Sequence, residues 1–210
     1  YDSGAPLGTA SSAECMIDLL PQSFAALCGG FDPSRVRSGL DSCDQILVDR
    51  EKRIVRLLYP PFCKSMNEPG YIGSYVPGVR ENGGQYTHAA VWYASALLKD
   101  CQYEKGYEIL SLLNPVNRGK TLNDVFKYRV EPYVLAGDIY TTPGHIGMGG
   151  WTHYTGSAGW YLSTVIEDLL GIKIVENRLL LSPSLPKDWK EYRAELNTEK
   201  GYISILVRKS

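Results

Sequence analysis

What this sequence lacks narrows its chemistry first. It has no cluster of Lys and Arg, and its formal net charge at pH 7 is −1, so the backbone of a nucleic acid finds no basic face to settle on. No nucleic-acid partner is expected. No apolar run is long enough to span a bilayer, and no positively charged segment leads into an apolar one near the N-terminus. The five cysteines, Cys15, Cys28, Cys43, Cys63 and Cys101, include no Cys-x-x-Cys pair, so a zinc site of that spacing is absent. His145 and His153 find no third ligand at a useful spacing either, and no metal is expected. Most of the cysteines read as lying in helical apolar patterns, where an unpaired thiol behaves as a small hydrophobe, which points to a reducing compartment. The expectation is a cytoplasmic chain, with an inner-membrane anchor on its parent polypeptide left open.

What is present is a chain of 210 residues, long enough for one large domain or two small ones. It opens on the turn-rich Asp2–Gly8 and closes at the apolar run Ile203–Val207, which reads as a bare sheet edge. Both ends read as those of a fragment, with the rest of the parent polypeptide as its partner and self-association through uncovered apolar faces as an expected consequence.

Helical patterns alternate between two kinds. Glu14 to Leu27 is apolar nearly all round, as a helix buried on every side would be. Pro33 opens a segment whose Val36, Leu40, Cys43 and Leu47 form a single stripe. The pair then repeats, with Tyr86 to Leu98 Ala-rich and apolar nearly throughout and Gln102 to Leu113 one-sided. Two more apolar helices are expected at Tyr133 to Tyr140 and Ala158 to Leu170. Inner and outer helices in turn suggest a mainly α fold, a double ring with the long loops Pro60 to Gly84 and Thr141 to Gly156 at one mouth. After Gly171 short strands take over at Ile172 to Val175, Arg178 to Leu181, Tyr192 to Leu196 and Tyr202 to Val207, with Glu199-Lys200-Gly201 as a turn. The boundaries that follow are 1–171 for the helical part and 172–210 for the start of a β-rich part.

Two segments carry chemistry. Arg80-Glu81-Asn82-Gly83-Gly84-Gln85-Tyr86-Thr87-His88 gathers charge, amide, hydroxyl and imidazole in one short stretch, a mix that a core does not need. His88 reads either as a satisfied core residue or as a ligand group, and the neighbouring Glu81, Asn82 and Gln85 favour the second. In the other segment, Thr155-Gly156-Ser157 stands directly before an apolar helix, where N–H groups and the helix dipole suit an anion such as phosphate. The alternative is that Thr155 or Ser157 is a plain N-cap. Tyr75 and Trp151, set among glycines, read as flat shelves for a sugar ring, and Trp92 and Trp160 as packing.

Taken in order, Pro77-Gly78-Val79-Arg80-Glu81-Asn82-Gly83-Gly84-Gln85-Tyr86-Thr87-His88, Glu131-Pro132-Tyr133-Val134, Gly149-Gly150-Trp151 and Thr155-Gly156-Ser157-Ala158-Gly159-Trp160 resemble the successive motifs of glycoside hydrolase family 94. That family comprises inverting sugar phosphorylases and the phosphorylase-like domain of cyclic β-1,2-glucan synthases. The N-terminal Pro6-Leu7-Gly8, Glu14-Cys15, Ile17-Asp18 and Gln22-Ser23 look most like the synthase branch. The resemblance implies part of an (α/α)6 barrel followed by a C-terminal β-sheet layer. It implies that His88 and Thr155 hold phosphate and that Tyr75, Arg80 and Glu81 meet the acceptor-side sugar. It also implies a β-glucan oligosaccharide or glucose-type sugar as substrate, inorganic phosphate as co-substrate and no cofactor. Where the family's disaccharide phosphorylases carry a donor-side glutamine, this chain reads Leu135-Ala136-Gly137-Asp138, a departure that bears on specificity.

An inverting phosphorylase needs one proton donor and a cradle for phosphate, because phosphate is itself an anionic nucleophile. The family's acid is an Asp in an Asp-Trp-Asn-Asp-Gly motif, which this chain does not contain. No catalytic acid is therefore assigned within it. Two rival readings remain from the sequence: a non-catalytic carbohydrate-binding module, and an α/α-barrel glycosidase or lyase pairing Glu81 with an Asp such as Asp18.

Overall fold

The computed structural model describes residues 1–63, 67–199 and 201–209. Its helices are α1 (Leu19–Cys28), α2 (Pro33–Leu47), α3 (Thr87–Lys99), α4 (Tyr103–Leu113), α5 (Leu122–Tyr128) and α6 (Thr155–Ser163), the last running on as a π-helix over Thr164–Leu169. The strands pair antiparallel in twos. β1 (Ile17–Asp18) pairs with β4 (Leu58–Tyr59), β2 (Val48–Asp49) with β3 (Ile54–Val55), and β5 (Gln85–Tyr86) with β6 (Asp138–Ile139). β7 (Ile172–Val175) pairs with β8 (Arg178–Leu181), and β9 (Glu191–Thr198) with β10 (Gly201–Arg208). The whole is α-rich with small antiparallel sheets.

Helix α3 is the centre of the packing. Its alanines and leucines leave no polar face, ten of its residues are buried, and it lies against α1, α4 and α6. The one-sided helices behave as their stripes require. Helix α2 buries Leu40, Cys43 and Leu47, and α4 buries Gly106, Ile109, Leu110 and Leu113. Local signals set their starts. The Asp32 carboxylate accepts the N–H groups of Ser34 and Arg35 ahead of Pro33 at the first helical position of α2. Tyr93 of α3 donates its hydroxyl to the Leu40 carbonyl at 3.0 Å, joining two elements far apart in sequence.

Several expectations need correction. The helix expected from Glu14 begins only at Leu19, because Ile17–Asp18 pairs with Leu58–Tyr59 and the Asp18 carboxylate then caps the helix by accepting the Leu20 N–H at 2.8 Å. Nor is α1 buried on every side: only Leu19 and Ser23 are, while Phe24 is 41% exposed. No helix forms over Tyr133 to Tyr140. There the Val134 N–H turns back to the Glu131 carbonyl and Asp138–Ile139 is drawn into a strand by β5, so pairing overrides an apolar run that begins after Pro132. Helix α6 starts at Thr155 rather than Ala158, and α5, only seven residues long, gives too short a period to read. The cysteines are corrected too. Only Cys28 and Cys43 lie in helices, and Cys28, Cys63 and Cys101 are exposed.

The four C-terminal strands fall where the alternation put them, β9 and β10 being longer than expected; Lys200 of the expected turn lies outside the described residues. Val207 and its neighbours are not bare on both sides, since β10 pairs along its length with β9. Ile172, Leu185, Tyr192 and Ile205 form a small separate core. The Tyr192 hydroxyl ties that core to the π-helix end by donating to the Leu170 carbonyl at 2.6 Å.

Candidate functional site

The loop from Tyr75 to Gln85 is held from behind by two amides. Asn82, with no exposed surface, accepts the Phe62 N–H at 2.7 Å and donates to the Phe62 and Tyr75 carbonyls, each at 2.8 Å. Gln85, also buried, accepts the Val55 N–H at 3.0 Å and donates to the Thr87 hydroxyl. Both side chains are consumed by the fold. They do not sit ready for a ligand, as their position beside His88 suggested; they set the loop that does.

That loop makes a tight turn, closed by the Gly78 N–H on the Asn82 carbonyl and the Asn82 N–H on the Val79 carbonyl. Gly78 takes φ 87°, and a Cβ there would stand 2.5 Å from the Thr142 nitrogen, so only glycine fits. Arg80 is left-handed at φ 51°, a conformation uncommon outside glycine and enriched at functional sites. It lays its guanidinium carbon 4.1 Å from the centre of the Trp151 ring and 5.5 Å from that of Tyr75. Its Nε lies 3.7 Å from Glu81 Oε2, and that carboxylate oxygen is buried without a hydrogen-bond partner among the described residues. Tyr75, Arg80 and Glu81 are thus gathered on one shelf with Trp151, which is 47% exposed.

Beneath the shelf sits a residue the sequence marked only as a departure. Asp138 is 3% exposed, its Oδ1 accepts the Trp151 N–H at 2.8 Å, and its Oδ2 is buried without a hydrogen-bond partner among the described residues. Burial raises its pKa; the Trp151 N–H and the Arg80 charge pull the other way. Its clue was register: it stands opposite Tyr86 in the β5–β6 pair, which a sequence read as helix hides.

Next to the shelf opens a cleft of about 460 Å³ lined by Tyr86, His88, Gly137, Tyr154, Thr155 and Gly156 among others. The Trp151 and Tyr154 rings meet edge to face at 5.2 Å and join the two regions. His88, in the first turn of α3, packs against Trp92 at 4.3 Å and Trp160 at 6.1 Å between ring centres. Its Nε2 is buried without a hydrogen-bond partner among the described residues, which rules against a satisfied core histidine. Burial lowers its pKa and favours the neutral ring. Across from it α6 begins at Thr155 behind Tyr154, whose side chain makes no capping bond. Neither Thr155 nor Ser157 is the N-cap. The Ser157 hydroxyl donates back to the Tyr154 carbonyl at 3.2 Å, so the first N–H groups of α6 have no side-chain acceptor from the N-cap. A Cβ at Gly156 would lie 3.5 Å from His88 Cε1, an ordinary contact distance, so imidazole and helix terminus stand side by side.

Other candidates do not all leave this region: His153 lines the cleft, and Trp92 and Trp160 pack on His88. Trp92 is half-buried, while Trp160 packs edge-on against it at 5.7 Å yet stays 46% exposed, so it is not wholly core. His145 and His153 are exposed, and no group of three or more metal-ligating side chains gathers among the described residues. Asp18 is engaged as the cap of α1. A larger hollow of about 760 Å³ lies between the N-terminal loop and Pro60–Pro61 and is lined by none of the phosphate- or sugar-site candidates Tyr75, Arg80, Glu81, His88 and Thr155.

Comparison with known proteins shows the family of the chain. The family model for the glycosyl hydrolase 94 superfamily, catalytic domain, matches residues 1–171. The chain is 47% identical over 207 residues to the cyclic β-(1,2)-glucan synthase NdvB of Rhizobium meliloti (strain 1021), covering 99% of this chain and 7% of that protein. It is 30% identical over 208 residues to the 3-O-β-D-glucopyranosyl-β-D-glucuronide phosphorylase of Paenibacillus borealis, covering 98% of this chain and 26% of the relative. It is 28% identical over 160 residues to the 1,2-β-oligoglucan phosphorylase of Listeria innocua serovar 6a, covering 63% and 14%. The chain therefore spans about a quarter or less of the length of these relatives.

Proposed function

The chain belongs to the glycosyl hydrolase 94 superfamily, and from that footing we propose that it is the phosphate- and acceptor-binding part of a longer glycosyl-transferring enzyme acting on β-glucans. The observation that carries this reading is the pairing across one cleft of the unpartnered His88 imidazole with the helix terminus at Thr155. An uncapped helix N-terminus presents N–H groups and positive dipole to an anion. A neutral imidazole adds one directed donor. The shelf of Tyr75, Trp151, Arg80 and Glu81 beside it offers flat faces and hydroxyl acceptors, the chemistry of a pyranose ring.

In this reading the elements of α1 to α6 form part of an (α/α)6 barrel, with residues 172–210 beginning a β layer. Phosphate attacks the anomeric carbon with inversion, the glycosidic C–O bond breaks, and the leaving oxygen takes a proton from an acid outside this chain. His88 and the start of α6 would orient the attacking anion, and the shelf would hold the departing sugar. The same positions serve the reverse transfer to an acceptor sugar. The likeness to a protein named for cyclic β-(1,2)-glucan supports β-1,2-linked glucan as the substrate class. The proposed setting is the cytoplasmic side of the cell.

The test is turnover of β-1,2-glucan by the full-length enzyme with and without inorganic phosphate. Glucose 1-phosphate release that depends on phosphate supports the reading. Hydrolysis independent of phosphate would replace it with a glycosidase, and sugar binding without turnover in either condition would leave a carbohydrate-binding module. The isolated chain should turn over nothing, since the proton donor alone is worth about 10²- to 10⁴-fold.

A further inference from the structure

Asp138 has no part in the proposed chemistry, yet it anchors the sugar shelf. A guanidinium lying open on an aromatic face is by itself a receptor for carboxylates, which it grips through two parallel N–H groups. Such a shelf would favour acidic sugars. Here the Arg80 charge is contested from two sides. Glu81 places Oε2 3.7 Å from Arg80 Nε. Asp138, bonded to the backbone of the tryptophan on which Arg80 lies, interacts electrostatically with both Arg80 and Glu81. One cation therefore has Glu81 beside it and Asp138 within its electrostatic reach beneath Trp151, and each carboxylate has a buried oxygen without a hydrogen-bond partner among the described residues.

We infer that Asp138 is a specificity-determining residue: it props Trp151 beneath Arg80 and, together with Glu81, gives the shelf an excess negative charge that admits uncharged pyranose rings and rejects sugar acids. This rests on the proposed role of the shelf as the acceptor-side sugar site. A neutral ring gains stacking and hydroxyl bonds there. A uronate brings a carboxylate to a place already overfilled with them, and like charges in close quarters discriminate strongly.

The experiment compares two probes that differ only at C6, methyl β-D-glucopyranoside and its uronate, by equilibrium binding to the full-length protein at pH 7. The wild type should bind the neutral glycoside at least about tenfold more tightly. Asp138→Asn keeps an oxygen for the Trp151 N–H and removes the charge, so it should narrow that ratio by about tenfold, chiefly by improving uronate binding. A ratio left unchanged by Asp138→Asn would overturn the inference, as would equal affinities in the wild type, a result that requires no variant to fold. If neither glycoside bound the wild type, the sugar-shelf assignment itself would fall. Binding of the neutral glycoside with an unaltered ratio would remove only the role given to Asp138.

Discussion

A side chain on Gly150 would collide with Asp138, because a Cβ there would stand 2.5 Å from Oδ1. The carboxylate can reach the Trp151 N–H only because the residue before Trp151 has no side chain. Gly150→Ala should therefore displace Asp138 or Trp151, at a cost of about 1–3 kcal/mol for overpacking a tight site. Urea unfolding should show the loss, and acceptor binding should weaken more than phosphate binding. An alanine accepted at no cost would mean that the contact is slack.

Asn82 supplies three hydrogen bonds from a side chain with no exposed surface. Asn82→Ala leaves buried backbone groups of Phe62 and Tyr75 unpaired, each worth about 1–3 kcal/mol. Stability should fall by several kcal/mol, and the Tyr75 end of the shelf should loosen. Circular dichroism melts of the variant, with amide exchange near Phe62, would check this.

The two ends of the proposed site should separate by mutation in the full-length enzyme. His88→Ala and Thr155→Ala each remove a group from the proposed phosphate cradle, and losing a bond to a charged partner costs about 1.5–3 kcal/mol, roughly tenfold to over a hundredfold in the phosphate-dependent rate. Tyr75→Ala should raise the KM for glucan or acceptor and leave phosphate saturation nearly unchanged. If the cradle substitutions altered glucan affinity alone, the two halves of the site would be interchanged.

Acid should expose the cost of burying His88. Its pKa is lowered by burial, so between the folded value and the ordinary value near 6.5 the unfolded chain binds more protons than the folded one. Stability from this group is present above that window and is lost as pH falls through it. Denaturant titrations at descending pH should show a smaller loss for His88→Asn than for the wild type.

Large apolar side chains lie open on the helical part, with Phe24 41%, Trp160 46%, Leu162 60% and Phe126 73% exposed. Surfaces of this kind are usually covered by association. The 210-residue chain, expressed alone, should self-associate or bind a hydrophobic dye. Sedimentation as a monomer without dye binding would contradict this.

Where periodicity was long and unbroken, the sequence was legible. Helices α2, α3 and α4 lie almost where their apolar spacing put them, because each owes its stability to a stripe or a fully apolar surface that the sequence displays directly. Leu135 to Ile139 was misread for the opposite reason: its apolar residues serve a strand pair whose partner, Gln85–Tyr86, lies some fifty positions earlier. The site divides in the same way. Tyr75, Arg80, Glu81, His88 and Thr155 stood out by residue type and by family resemblance. Asn82 and Gln85 stood out too, yet their partners Phe62 and Val55 are backbone groups that no side-chain pattern reveals. Asp138 was hidden behind the misread element that carries it.

His88 is mounted on the first turn of α3, a helix with ten buried residues, whereas Arg80 and Tyr75 hang on a loop stitched down by the Asn82 and Gln85 amides. Socket and rim are thus carried by different elements, joined through the Trp151–Tyr154 ring contact. Changes in the rim can retune which sugar is welcomed without disturbing the socket, whose repositioning would require the whole bundle to repack. An engineer seeking new acceptors should graft loops between Tyr75 and Glu81 and leave α3 untouched, and natural drift within such an enzyme would be channelled along the same path.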